Sequence, residues 1–199
     1  MRMPFLPLAL ALAGFVPAGA DAGPWPRSAG STFVEVKFET GGQAQIYVER
    51  GLGREITLVG KVRGGEAATV RLQKSWQAGS IVHALSLGVT AEGEGRIAAL
   101  WGWGTEIAAY PGWLSAEVEY AAGAVNAWQL SAEIGLRAPG RGIGLIRVWV
   151  DVSDTWQALT FQPAIGLEIR PGRTVVLSAA AEAGDGHDRR LALSLWLDF

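Results

Sequence analysis

The sequence predicts an all-β protein: an up-and-down antiparallel transmembrane β-barrel of about twelve strands, with a range of roughly 10 to 14. Three observations lead there. From Thr32 onward the chain is a series of runs that alternate apolar and polar residues, separated by turns rich in Gly, Pro, Asn and Asp. Beyond the amino-terminal region no segment has the roughly 18 continuous apolar residues a transmembrane helix needs, and no i, i+3, i+4, i+7 pattern is long enough to compete. The chain also ends in a strongly alternating stretch, R-L-A-L-S-L-W-L-D-F from Arg190 to Phe199. There Leu191, Leu193, Leu195, Leu197 and Phe199 fall on one face of a strand, and Arg190, Ala192, Ser194, Trp196 and Asp198 on the other. In water such a strand would need a second covering layer, whereas in a membrane it needs lipid alone. About ten residues of tilted strand cross the hydrocarbon core.

Composition narrows the class. The chain has 199 residues, 49% of them hydrophobic, with 27 Gly, 9 Trp, no Cys and a formal net charge of −2. That length suits one domain or one barrel. No basic run tracks phosphates, so nucleic acid is not expected as a partner. Without cysteine there is no thiolate metal site, disulfide or cysteine nucleophile.

Residues 1–22 read as a secretory signal peptide. Arg2 is the charge preceding an apolar run from Phe5 to Val16, and Ala20-x-Ala22 is a small-x-small site, so cleavage is expected after Ala22, with Ala20 as second choice. The run is too short to span, and Pro4, Pro7 and Pro17 weaken a helix. Residues 23–31, with Pro24 and Pro26, form a short extended leader. The barrel is expected over 32–199, with strands near 32–39, 44–50, 55–63, 68–76, 81–90, 96–108, 113–121, 127–137, 143–152, 156–169, 174–183 and 189–199.

With the amino end on the inner side, the inner turns are expected at Gly51–Arg54, Gln77–Ser80, Tyr110–Gly112, Ala138–Arg141 and Arg170–Arg173. The outer loops fall at Thr40–Gln43, Gly64–Ala67, Ala91–Gly95, Ala122–Asn126, Ser153–Thr155 and Gly184–Asp188. An even number of strands returns both termini to the inner side. The outer loops are short and leave no room for a large plug, lid or receptor surface.

The faces alternate in most strands. Val34, Val36 and Phe38 oppose Glu35, Lys37 and Glu39; Ile56, Leu58 and Val62 oppose Thr57, Lys61 and Arg63; Val70 and Leu72 oppose Arg71 and Gln73. Leu114, Ala116, Val118 and Tyr120 oppose Ser115, Glu117 and Glu119; Leu130, Ala132, Ile134 and Leu136 oppose Ser131, Glu133 and Arg137. Ile146, Val148 and Val150 oppose Arg147 and Asp151; Leu159, Phe161, Ile165 and Leu167 oppose Thr160, Gln162 and Glu168.

A β-sandwich alternates too, but its mixed face looks at bulk water. A membrane barrel turns its apolar face to lipid and its polar face to the lumen. The mixed face here carries both signs in similar number, as charges paired in a confined space need. Trp76, Tyr110, Trp113, Trp128, Trp156 and Trp196 lie near strand ends, as an interfacial girdle would, although parity puts Trp156 and Trp196 on the lumen face. In strand 96–108, Leu100, Trp101 and Trp103 fall on both faces around glycines, so a kink or bulge is expected.

The terminal Phe199, preceded by hydrophobic residues at Leu197, Leu195, Leu193 and Leu191, resembles the carboxyl-terminal sorting signal of bacterial outer-membrane β-barrel proteins. Leu197 departs mildly from the family pattern, where that position is often aromatic. The resemblance covers nearly the whole mature chain, but its motifs are architectural and name no activity. It implies a porin-like protein in a Gram-negative envelope, located in the bacterial outer membrane. It also implies outer-membrane lipid around the barrel and the barrel-assembly machinery as a partner during biogenesis.

A search for chemistry yields no catalytic constellation, so the chain is not expected to be an enzyme or to hold a cofactor or metal. His83 is placed near the inner interface on the lipid-facing side, and Ser86, three residues on, faces the other way, so they make no nucleophile–base pair. Asp185, His187 and Asp188 share one tight outer loop but are read as a loop rather than a cation site. Gly102-Trp103-Gly104 and Gly140-Arg141-Gly142 lack the strand–turn–helix context of a nucleotide loop and are read as packing or turn glycines. Glu117, Glu119 and Glu133 are read as ion-paired lumen charges rather than acid–base groups.

The leading function is therefore a narrow pore or passive membrane channel. Its lumen is expected to be lined by Glu35, Lys37, Lys61, Arg63, Arg71, Glu117, Glu119, Glu133, Arg147, Asp151 and Glu168. The alternatives are a structural or assembly-type barrel with a closed lumen and, third, a secreted soluble β-sandwich binding protein.

Overall fold

A computed structural model describes residues 23–64, 68–123, 125–153, 155–184 and 189–199. The expected signal peptide and the loop residues Asp185, His187 and Asp188 lie outside these residues. Twelve strands run in chain order: β1 (Thr32–Glu39), β2 (Ala44–Gly53), β3 (Ile56–Arg63), β4 (Thr69–Ala78), β5 (Ile81–Thr90), β6 (Gly95–Ile107), β7 (Tyr110–Ala122), β8 (Ala127–Ala138), β9 (Gly142–Ser153), β10 (Gln157–Arg170), β11 (Arg173–Gly184) and β12 (Arg189–Asp198). Each strand pairs antiparallel with its sequence neighbours, and β1 pairs with β12, so the sheet closes on itself. Closure removes every sheet edge, so the ladder pairs backbone groups without water, as hydrocarbon requires. The soluble sandwich is thereby ruled out: there is one closed sheet rather than two packed ones.

The period of two decides which side chains meet lipid. Val34, Val36 and Phe38 of β1 face outward, as do Leu191, Leu193 and Leu195 of β12 and Leu85, Leu87 and Val89 of β5. Phe38, Leu87, Ile165 and Leu193 are all more than half exposed, on an apolar surface of the kind a bilayer covers. Trp76 and His83, a cross-strand pair near the inner rim, stack face to face on this exterior at 5.7 Å. Tyr120 and Trp128 make a second cross-strand pair towards the outer rim, tilted rather than stacked, with ring centres 4.8 Å apart.

Local chemistry explains the turns and corrects three expectations. The β2–β3 connection is a two-residue turn with positive φ at Arg54 and Glu55, and Ala108 and Ala109 make the equivalent turn between β6 and β7. Both have the left-handed pair of a type I′ hairpin. The Tyr110–Gly112 turn is therefore misplaced: Pro111 lies inside β7, opposite Glu106. The expected kink over 96–108 is absent too. β6 keeps one register with β5 and with β7, because Trp101 and Trp103 point outward while Leu100 and Gly102 point inward. Leu100 instead packs in the lumen with Ala84 and Ala98. Finally, Trp113 is buried in the lumen, at 3% exposure, and does not join an interfacial girdle, while Trp196, at 6%, lies on the lumen face where parity puts it. They share inward parity with Ser115 and Ser194.

Candidate functional site

The lumen divides along its axis into two unlike halves. The outer half holds a cavity of about 760 Å³ that opens towards the outer loops, where Glu92, Glu94 and Trp156 line it. Nine acidic and seven basic side chains contribute to its wall. Ten of the eleven expected lumen residues line it: Glu35, Lys37, Lys61, Arg63, Arg71, Glu117, Glu119, Glu133, Arg147 and Asp151. Glu168 does not. Although its parity is inward, it sits at the inner rim, and its Oε1 accepts the Gly172 backbone N–H across 3.1 Å, capping the β10–β11 turn.

The charges form three groups. At the mouth, Lys37 and Arg63 lie 2.9 and 2.8 Å from Glu39, and Arg190 bridges Glu39 and Glu182 at 3.7 and 2.8 Å. Deeper in, Arg71 pairs with Glu117 at 2.9 Å and with Glu119, which also accepts from Arg96 at 2.5 Å. Next to it round the wall, the Arg147 Nε donates to Glu133 across 2.8 Å, and the Trp113 indole N–H donates to the second Glu133 oxygen at 2.7 Å. Pairing offsets part of the desolvation that each ion suffers in a confined space. Interspersed signs also leave no large single-sign field along the wall.

The inner half is filled. Phe33, Trp113, Ile143, Leu145, Ala164, Val176 and Trp196 form one buried cluster, against which Trp25 and Tyr47 pack. These bulky groups come from β1, β2, β7 and β9 to β12. The facing arc, β3 to β6, presents mostly small inward residues there: Thr57, Ser75, Ala84, Ser86, Ala98 and Gly102.

Over that arc lies the leader. Residues 23–31 turn back over the inner rim and enter the barrel. Pro24 is fully buried. The Gly23 carbonyl accepts from Gln73 Nε2 at 3.0 Å, and the Arg27 backbone N–H donates to Thr57 Oγ1 at 3.2 Å. The Arg27 guanidinium pairs with Glu49, lies 3.8 Å from Asp198 and sits 4.7 Å above the centre of the Phe33 ring.

Sequence reading missed Arg96, Glu49 and Arg27 as lumen charges. Arg96 carried the signal, since it shares parity with Ala98 and Gly102. For Arg27 no periodic signal exists, because residues 23–31 contain no strand. His83 and Ser86 sit on opposite faces of β5, the former on the exterior and the latter in the lumen. Gly140 and Arg141 are turn residues with positive φ, and Gly102 is a packing glycine, as its spacing indicates.

A closed, even-numbered antiparallel barrel with an apolar exterior and a charged interior is the architecture of transmembrane β-barrels. No protein-family model and no curated protein matches the chain. Solved structures do share its fold. The KdgM porin superposes with a TM-score of 0.67 at 6% identity, covering 85% of this chain and 99% of that one. The NanC porin gives 0.64 at 5% identity, covering 83% and 98%. The COG4313 outer membrane channel from Pseudomonas putida F1 gives 0.52 at 10% identity, covering 91% and 100%. At such identities the likeness is one of fold.

Proposed function

We propose that the chain is a porin-type passive channel of the bacterial outer membrane, taking small polar or charged solutes into a lumen of mixed charge. The observation that carries this reading is the 760 Å³ cavity, lined by paired ions and enclosed by a sheet whose exterior is apolar. The porins and the channel that share its fold support it. In the same reading, the signal peptide exports the chain and is cleaved after Ala22. The barrel-assembly machinery then recognises the last strand, Leu191 to Phe199. The protein works without a cofactor, performs no catalysis, has outer-membrane lipid as its surroundings and does not bind nucleic acid. The test is single-channel recording of purified protein in planar bilayers, with fractionation of cells alongside. Discrete ohmic steps and recovery with outer membranes are expected. Recovery as a soluble periplasmic protein would overturn the reading.

A second reading, a structural barrel with a closed lumen, is favoured by one specific observation: the inner half is occupied by the aromatic cluster and the leader. Under that reading no variant of the leader would conduct.

A further inference from the structure

We infer that residues 23–27 are a removable plug that gates the inner end of the lumen, an inference that rests on the channel reading above. Two features of the wall match the leader. A Cβ on Gly102 would stand 2.4 Å from Pro24 Cγ and 2.8 Å from the Trp25 ring, closer than real side-chain contacts allow. A Cβ on Gly51 would lie 2.0 Å from the Ser28 carbonyl oxygen. Both glycines are strand residues facing the lumen, where a side chain would strengthen an ordinary strand. Their bareness is explained by the segment that lies on them.

The way the segment is held also suits a plug. Residues 28–31 are tied to the rim by backbone bonds, Gly30 N–H to Gly51 O at 2.9 Å and Gly51 N–H to Ser31 O at 3.0 Å. Residues 23–27 lie outside every strand, and Gln73, Thr57, Glu49 and Asp198 hold them through side chains. They can leave without breaking one rung of the barrel. The arc they cover is the arc of small residues, so their departure opens a passage beside the bulky cluster, joining the outer cavity to the inner side. The Arg27 pairs with Glu49 and Asp198 act as the latch.

Two variants of the full chain test this, both checked for folding by heat-modifiable gel mobility. One lacks residues 24–27. The other carries Arg27→Cys with Thr57→Cys, positions whose backbone N–H and side-chain hydroxyl lie 3.2 Å apart, in a protein that has no cysteine of its own. Wild-type channels should open in brief events, and the deletion should give large, long-lived steps. The oxidised cysteine pair should abolish opening, and reduction should restore it. A folded deletion variant with wild-type conductance and open time overturns the plug and leaves the channel reading standing. A folded cysteine pair that forms no disulfide overturns the plug as well. If neither wild type nor the folded deletion conducts, the plug and the channel reading both fail.

Discussion

The guanidinium of Arg71 on β4 lies 2.9 Å from the carboxylate of Glu117 on β7, although β5 and β6 separate the two strands in the wall. The pair therefore spans a chord of the lumen, and its charges stand in the path of any permeating ion. Arg71→Gln should leave Glu117 without that partner and Glu119 with Arg96 alone, and shift the reversal potential in a salt gradient towards cation selectivity. Glu117→Gln with Glu119→Gln should shift it towards anions. The comparison is best made in the deletion variant lacking residues 24–27. Shifts of the same sign in both variants would refute a field set by these pairs.

Leu193 and Ser131 test the two faces of the wall. Leu193→Arg should destabilise the barrel by roughly 2–4 kcal/mol, the cost of a midplane arginine facing lipid. Ser131→Arg should be much milder, because Ser131 lines the open cavity. Ser194→Arg should fall between them, since Ser194 is 3% exposed at the level where the lumen fills. Urea midpoints of protein refolded in detergent give the order.

Ala108 and Ala109 both hold positive φ, at 51° and 66°. A left-handed non-glycine residue costs about 1–2 kcal/mol. Ala108→Asn with Ala109→Gly, the favoured type I′ pair, should therefore raise the unfolding free energy by about 1–2 kcal/mol. Conductance should not change. A lower urea midpoint would show that the turn is not strained.

The Trp113 ring lies over Gly135, where an added Cβ would come within 2.1 Å of it. Gly135→Val should displace the indole, break its 2.7 Å bond to Glu133 and cost about 1–3 kcal/mol, as overpacking does. A red-shifted tryptophan emission together with a lower midpoint is the expected signature. Unchanged emission would show that the ring does not rest there.

Phe199 pairs its backbone with Thr32 in both directions, at 2.9 and 3.0 Å, while the residue as a whole is 69% exposed. Phe199→Asp should thus cost well under the roughly 1–3 kcal/mol of a fully buried aromatic. Assembly in cells should fall far more steeply if the ring is a sorting signal. Proportional losses of heat-modifiable protein in cells and of the refolded urea midpoint would reduce Phe199 to a packing residue.

Strand faces were legible because the period of two is built into the extended backbone, and charges at every second position advertise it. Glu117, Glu119 and Glu133 could be placed in the lumen for that reason. The β6–β7 turn was not legible: Ala108-Ala109 carries no turn residue, while Pro111-Gly112 imitates one. Trp113 and Trp196 resembled an interfacial belt because they sit near strand ends, yet parity already directed them inward. The leader was legible as an extended segment, but its place inside the barrel was not. Gly51, Thr57, Gln73 and Gly102, which receive it, come from four strands and meet only when the sheet has closed.

Closure itself has a kinetic corollary. Eleven of the twelve strand pairings join neighbours in sequence, and one joins the two ends of the chain. The eleven are hairpins of low contact order that form locally and early, whereas the β1–β12 seam must wait for the most distant contact the topology contains. The leader hangs from β1 and finds the inside of the barrel only once that seam exists. Its burial should therefore be the last event of folding. A pulse of protease during refolding should cut at the leader until heat-modifiable protein appears, and no longer.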